Sequence, residues 1–149
     1  MQITKDFTLE ELTASQTAAR QGIKNAPSRK IIESLTSGCN QILQPLRDKL
    51  KTPIIISSGY RSPTLNNAVG GSSSSQHCKG EAADISVNGL TPRQLAKRIY
   101  DMGLPFDQLI VEFERWVHIS WKTSGTPRKQ LLLINAKERR AMGYAELCE

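Results

Sequence analysis

The chain has 149 residues, a formal net charge of +6 and 38% hydrophobic residues. This length suits one domain, since two would average under about 75 residues each, and the hydrophobic content argues against wholesale disorder. No apolar run approaches the ~18–20 residues that span a bilayer. The N-terminus carries an acid at Asp6 and lacks an apolar stretch, so we expect no signal peptide and synthesis in the cytoplasm.

Half of the positive excess lies in the C-terminal segment 122–149, which holds six basic and three acidic residues. A basic protein favours polyanionic partners such as nucleic acid or bacterial wall polymers. Aromatic residues make up only 5% of the chain, which leaves few side chains to stack on single-stranded bases. We therefore expect no specific nucleic-acid binding, and the role of the basic segment stays open.

Three cysteines, Cys39, Cys78 and Cys148, are widely spaced and odd in number. They form neither a disulfide framework nor a CxxC pair, which is typical of a protein made in a reducing compartment. Cys39 falls in an apolar helical pattern and is predicted to lie in the core.

Helical signals dominate the first third of the chain. Thr8 to Glu11 is a capping-box pattern that opens a helix, which we expect to end near Gly22. Apolar residues at helical spacing predict a second helix over residues 29–50, with Ser28 as its N-cap and a bend near Pro45.

The rest of the chain is mostly strand by its pattern. The predicted strands cover residues 53–57, 82–87, 106–113, 117–121 and 130–134. A glycine- and serine-rich stretch over 59–75 is predicted as a loop, and residues 91–102 as a helix. Helices and strands in separate blocks predict a single α+β domain over 1–149, with a small central antiparallel sheet flanked by N-terminal helices.

Two of these strands carry a polar residue on the face opposite their apolar side chains, namely Asp84 and His118. Aspartate is disfavoured in strands, so Asp84 either pairs with a basic residue or ligates a metal. His77 lies seven residues before Asp84 with Gly80 between them, so the chain can turn and bring His77 over the strand. Two imidazoles and one carboxylate, with a fourth position open, form the ligand set of a catalytic zinc site.

A hydrolytic zinc site also needs a general base. If the predicted hairpin turns through three residues, 114–116, then Glu112 lies directly opposite His118, on the same face. A turn of even length would move Glu112 to the other face, and Glu114 at the tip is the competing candidate. Arg61, on the loop after the first of these strands, either stabilises a substrate carboxylate or oxyanion or forms a surface salt bridge.

Several segments together resemble the zinc peptidases of the M15 family, which include D-alanyl-D-alanine carboxypeptidases, D,D-dipeptidases and L-alanyl-D-glutamate endolysins. The pattern S-x-H-x-x-G-x-A-x-D runs from Ser75 to Asp84 without a gap, and a W-x-H motif ends at His118. The resemblance covers residues 6–121 and is closest to the short branch found in phage and prophage proteins. It implies the Hedgehog/D,D-peptidase-like fold of that family.

The resemblance also implies a set of site residues. The implied zinc ligands are His77, Asp84 and His118, with Arg61 near the substrate carbonyl or carboxylate and Ser75 lining the site. In the best-known members the catalytic carboxylate stands three residues before the last ligand, where this chain has Arg115. The spacing of this chain looks like the short branch's own form and favours Glu112 as the base.

The implied function is zinc-dependent hydrolysis of a peptidoglycan stem-peptide amide bond next to a D-residue, as a carboxypeptidase or an endopeptidase. We expect a monomeric phage or prophage endolysin-type enzyme that acts on the cell wall after release. The alternative is a catalytically inactive wall-binding or assembly module of the same fold.

Overall fold

The computed structural model describes all residues, 1–149. The α-helices are α1 (Leu9–Thr13), α2 (Gln16–Gln21), α3 (Arg29–Gly38), α4 (Gln44–Leu50), α5 (Pro63–Ala68) and α6 (Pro92–Asp101). The strands are β1 (Gln2–Thr4), β2 (Phe7–Thr8), β3 (Ile55–Ser58), β4 (Ala82–Ser86), β5 (Gln108–Glu112), β6 (Trp116–Ser120), β7 (Gln130–Ile134) and β8 (Arg139–Ala141). A π-helical turn covers Cys39–Leu43, and 3₁₀ helices cover Gln76–Lys79 and Tyr144–Cys148.

The predicted first helix begins as expected but is split in two. Thr8 Oγ1 accepts from the Glu11 N–H at 3.2 Å, and Glu11 Oε1 accepts from the Thr8 N–H at 2.8 Å, which completes the capping box. The helix ends at Thr13, and Ser15 caps α2 by accepting from the Ala18 N–H. A strong N-cap residue in the middle of the predicted helix favours a new start over continuation.

The predicted helix over 29–50 is confirmed, with Ser28 as its N-cap. The π-helical turn joins α3 to α4 directly before Pro45. Proline has no N–H to donate, and its ring crowds the carbonyl four residues earlier. A widened turn relieves that crowding without ending the helix.

The main sheet has six strands in the order β3-β4-β6-β5-β7-β8. Its pairs are antiparallel except β5 and β7, which run parallel, so the predicted antiparallel sheet is wrong at this pair. The connection 121–129 crosses the start of β5, where the Gln130 N–H donates to the Asp107 carbonyl at 3.0 Å. Because β7 therefore starts beside the start of β5, it must run in the same direction.

Several elements were absent from the predictions, namely the short strands β1 and β2, the two 3₁₀ helices, helix α5 and strand β8. Helix α5 lies inside the predicted loop, where Ser62 caps its first turn and Pro63 occupies it, a common helix start. Strand β8 follows β7 and pairs with it. The C-terminal segment is therefore a folded edge of the sheet and not a free basic arm.

The hydrophobic core lies between the helices and one face of the sheet. Trp121 is fully buried, and its Nε1 donates to the Ser34 carbonyl of α3 at 3.0 Å. Cys39 is also fully buried, as predicted. None of the helices has the length and apolar character needed to cross a membrane.

Candidate metal centre

Asp84 and His118 lie on adjacent strands at the same position of the sheet. The antiparallel register of β4 and β6 pairs them directly, so both side chains project from the face away from the core. His118 Nδ1 lies 3.0 Å from Asp84 Oδ1, and each of the two side chains is only 12% exposed. The alternation of the two strands therefore brings these residues together, as the sequence predicts.

His77 reaches the same point from the 3₁₀ helix Gln76–Lys79. Gly80 ends that helix with φ of 69°, a left-handed conformation that glycine adopts without strain, and turns the chain into β4. The His77 ring is 2% exposed, and its Nδ1 lies 2.7 Å from the Gly59 carbonyl oxygen. Because a carbonyl only accepts, Nδ1 carries the proton and Nε2 faces Asp84 Oδ1 at 3.4 Å as a free electron-pair donor.

The ligand atoms of His77, Asp84 and His118 all lie within 4.8 Å of one another. Ligands at about 2.0–2.2 Å from a tetrahedral zinc ion are about 3.4 Å apart, close to the 3.0 and 3.4 Å between Asp84 and the two histidines. Two imidazole nitrogens and one carboxylate oxygen are also donors that zinc accepts. The three residues therefore fit a zinc ion.

The protonation states match what a metal requires. Burial raises the pKa of Asp84, but the His118 and His77 imidazoles beside it outweigh burial and hold that pKa below its ordinary value. Burial lowers the pKa of His77. An ionised carboxylate and a neutral imidazole are the forms that ligate a divalent cation.

Glu112 lies on the same face of the sheet as the cluster, but not in the predicted register. It pairs with Trp116, while Ile110 takes the place opposite His118. The hairpin still turns through three residues, 113–115. The observed pairing of β5 with β6 therefore differs from the predicted pairing by two residues, which leaves Glu112 on the predicted face of the sheet. Glu112 Oε1 lies 4.0 Å from His118 Nδ1, and burial raises the pKa of its carboxyl.

Glu114 is held away from the cluster by a different partner. Arg93 donates from Nε to both carboxylate oxygens, at 3.1 and 3.2 Å, and from Nη2 at 2.9 Å. The Glu114 side chain is 50% exposed and does not line the cleft that holds the cluster. Of the two candidate bases, only Glu112 is close to the histidines.

Arg61 and Ser75 are joined to the cluster through His77. The Arg61 N–H donates to the His77 carbonyl at 3.1 Å, and Ser75 Oγ accepts from the His77 N–H at 3.2 Å. The Arg61 guanidinium donates from Nη2 to Ser75 Oγ at 3.4 Å, and its buried Nε has no partner. Arg61 therefore forms no surface salt bridge, and its side chain lines the cleft with no bond besides that to Ser75.

These residues line one cleft of about 1060 Å³. The cluster lies on the sheet at its floor, and Arg61 and Ser75 belong to one wall. Residues of the C-terminal segment, among them Lys122, Arg128 and Arg139, also line it. The arrangement can hold a metal ion beside a carboxylate of raised pKa in a space large enough for a short peptide.

One buried carboxylate connected to the site, Asp107, was not among the predicted residues. Asp107, fully buried, accepts from Arg128 Nη2 at 2.7 Å and from Gln76 Nε2 at 3.1 Å. Gln76 precedes His77 in the chain, so Asp107 links the C-terminal segment to a candidate ligand. Aspartate is as unusual in the predicted strand 106–113 as it is at Asp84, and that signal could have identified it.

The sequence model of a family described as Peptidase M15 matches residues 5–120 of the chain. That range contains every residue of the cluster, together with Arg61, Ser75 and Glu112, and stops before the C-terminal segment. No curated protein matches the chain.

Proposed function

Since the chain belongs to the M15 peptidase family, a family of metallopeptidases, we propose that it is a zinc-dependent hydrolase of peptidoglycan stem peptides. The bond cleaved is an amide next to a D-residue. The observation that carries this proposal is the His77–Asp84–His118 cluster, with ligand atoms within 4.8 Å of one another, beside the Glu112 carboxylate. The likeness to the short phage and prophage branch supports an endolysin-type role at the cell wall.

His77, Asp84 and His118 would hold the zinc ion. Bound there, zinc supplies Lewis acidity, which polarises a carbonyl group and makes water more acidic. The protein's part is to keep the ligands in place. The Gly59 carbonyl fixes the His77 tautomer, and the strand register of β4 and β6 fixes Asp84 against His118.

Glu112 is the proposed general base and acid. Its carboxylate accepts a proton from the attacking water as the new C–O bond forms. The same proton then passes to the amide nitrogen as the C–N bond breaks, so that an amine and a carboxylic acid leave. Burial raises the pKa of Glu112, which makes its carboxylate a better proton acceptor near neutral pH.

Arg61 is the proposed partner of the substrate carbonyl oxygen or of a nearby substrate carboxylate. Its guanidinium donates to Ser75 Oγ and makes no other hydrogen bond. A fixed cation with unpaired N–H groups stabilises negative charge that develops on oxygen in the transition state. Ser75 lines the cleft, and its Oγ accepts from both the Arg61 guanidinium and the His77 N–H. Its proposed role is to orient Arg61 and to cap the 3₁₀ helix that carries His77.

The test pairs two glutamates on the same hairpin. Purified wild-type protein, Glu112→Gln and Glu114→Gln are loaded with zinc and incubated with a defined muropeptide, and the products are identified by mass spectrometry. We expect Glu112→Gln to lower the hydrolysis rate about 10²–10⁴-fold at one zinc per chain. Glu114→Gln removes the same charge from a residue bound to Arg93 and should retain wild-type hydrolysis.

The fragment masses identify the cleaved amide and separate a carboxypeptidase from an endopeptidase. Wild-type protein that binds zinc and peptidoglycan but releases no product would refute the proposal and favour a non-catalytic wall-binding module. Equal loss of hydrolysis in both glutamine variants would refute the assignment of Glu112 as the base.

A further inference from the structure

The cleft carries more positive than negative charge. It is lined by six cationic residues, Lys30, Arg61, Lys79, Lys122, Arg128 and Arg139, and by three carboxylates, Glu81, Asp84 and Glu112. Of the cations only Arg128 forms an ion pair, with the buried Asp107. A cleft with unpaired cations favours a ligand with several negative charges.

Among these cations Arg139 has a position set by the sheet. Glu112 on β5 pairs with Ile134 on β7, and Ile134 pairs with Arg139 on β8. Residues paired across neighbouring strands point to the same face, so Arg139 projects from the face that carries Glu112 and the cluster. Two strand spacings separate Arg139 from Glu112, or about 10 Å.

Arg139 differs from its neighbour Arg140, which forms an ion pair within the fold. Arg140 points to the opposite face, where its Nη2 lies 2.6 Å from Glu146 Oε1. Arg139 is exposed and forms no ion pair, although acidic residues lie close in the chain. Strand β8 also lies beyond the residues that match the family, so this cation belongs to the part of the chain outside that match.

We propose that Arg139 binds a carboxylate of the substrate peptide about four residues from the cleaved amide. The amide would be cleaved at the cluster, and His118 of the cluster lies on β6, three strand spacings or about 14 Å from β8. An extended peptide advances about 3.3 Å per residue and covers that distance in about four residues. This inference rests on the proposed function and specifies its substrate as a peptide with at least one free carboxylate remote from the scissile bond. A guanidinium is well suited to such a group because it can donate two parallel hydrogen bonds.

The test uses the peptide L-Ala-γ-D-Glu-L-Lys-D-Ala-D-Ala and two matched forms of it. In one form the glutamate α-carboxylate is a carboxamide, and in the other the C-terminal carboxylate is a carboxamide. Each peptide is given to wild-type protein, Arg139→Gln and Lys137→Gln, and kcat/KM is measured. Lys137 is exposed on the turn between β7 and β8 and does not line the cleft, so its variant controls for net charge.

We expect one of the two amidations to lower kcat/KM of the wild-type protein about three- to tenfold. The same amidation should change kcat/KM of Arg139→Gln less than about twofold, while Lys137→Gln keeps the wild-type loss. An unchanged amidation effect in Arg139→Gln would overturn the proposal, and so would equal effects in both variants. Thermal unfolding of each variant shows whether the fold is retained.

Failure of the proposed function gives a different result. If zinc-loaded wild-type protein cleaves none of the three peptides, the hydrolase assignment fails. The same peptides carrying a fluorophore then report binding by anisotropy. In that case Arg139 is supported if its substitution removes the preference for the carboxylate form, and refuted if wild-type protein and Arg139→Gln bind both forms equally.

Discussion

Replacing Asp107 with asparagine removes one negative charge from a fully buried position. The Asp107 carboxylate accepts from the Arg128 N–H at 2.8 Å and Arg128 Nε at 3.1 Å through Oδ1. Through Oδ2 it accepts from Arg128 Nη2 at 2.7 Å, Gln76 Nε2 at 3.1 Å and, more weakly, Arg128 Nε at 3.2 Å. Asparagine keeps one carbonyl oxygen for the Arg128 N–H and Nε. Its amide nitrogen then faces Arg128 Nη2 and Gln76 Nε2, so these two hydrogen bonds to a charged acceptor are lost.

Hydrogen bonds to charged groups contribute about 1.5–3 kcal/mol each when buried. The Arg128 side chain is 47% exposed and regains water when its partner is lost, so the lower part of that range applies. With two bonds lost, we expect Asp107→Asn to lower the free energy of unfolding by about 3 kcal/mol. For a chain of this size that is a fall in Tm of about 6–12 °C.

The assay is urea unfolding of wild-type protein and Asp107→Asn over a range of pH. Burial raises the pKa of Asp107, but the hydrogen bonds from Arg128 outweigh it and hold that pKa below its ordinary value. A carboxyl with a lowered folded pKa stabilises the protein above its unfolded pKa, and this stabilisation is lost as the pH falls through the folded pKa. The difference in the free energy of unfolding between wild-type protein and Asp107→Asn should be largest at pH 7 and should decrease below about pH 4.

The control is Glu33→Gln, because Glu33 pairs with Arg29 at 3.7 Å with both side chains largely exposed. That substitution should change the free energy of unfolding by no more than about 0.5 kcal/mol. A loss below about 0.5 kcal/mol for Asp107→Asn, or a difference that does not depend on pH, would refute the reasoning.

Two further outcomes concern the metal and the turn that carries His77. Adding zinc to metal-depleted protein at 100 times its Kd should raise Tm by about 5–10 °C, since binding then contributes about 2.7 kcal/mol. A chelator should reverse this rise in Tm, and Asp84→Asn should lose most of it. An unchanged Tm of the wild-type protein would contradict zinc binding at the cluster. Gly80→Ala should cost about 1–2 kcal/mol in urea unfolding because φ is 69°, and its Cβ would also lie 3.0 Å from Ile31 Cγ2. The control is Gly70→Ala, at φ of 74° with open space around it. It should show the backbone cost alone and leave zinc affinity unchanged. Equal zinc affinities of Gly80→Ala and Gly70→Ala would show that the turn at Gly80 does not position His77.

Local signals in the sequence predicted most of the helices and strands near the site. The N-cap residues Thr8, Ser28 and Thr91 each open a helix as their side chains indicate. The strand over Gln130–Ile134 matches its prediction in full. The helix split at Ser15 and the short helix α5 were missed, because short helices depend on capping and packing more than on periodicity.

The candidate cluster was predictable for a similar reason. Side chains alternate with period two along a strand, so the polar faces of Asp84 and His118 follow from the sequence. Glu112 shares that face only if the hairpin turn has an odd length, which the structure provides. The predicted face of Glu112 was correct although the predicted hairpin register was wrong by two residues. Only a shift by an odd number of residues moves a side chain to the other face. The donor set of two imidazoles and one carboxylate, together with the family motifs, is the basis on which we propose zinc as the ion.

Only the tertiary structure decided what depends on distant partners. The parallel pairing of β7 with β5, the capture of Glu114 by Arg93, and the place of Arg139 beside Glu112 each join residues far apart in the chain. Alternation along a strand is a property of neighbouring residues. Which strands lie side by side, and in which register, depends on long-range hydrogen bonds and core packing, which no local pattern encodes.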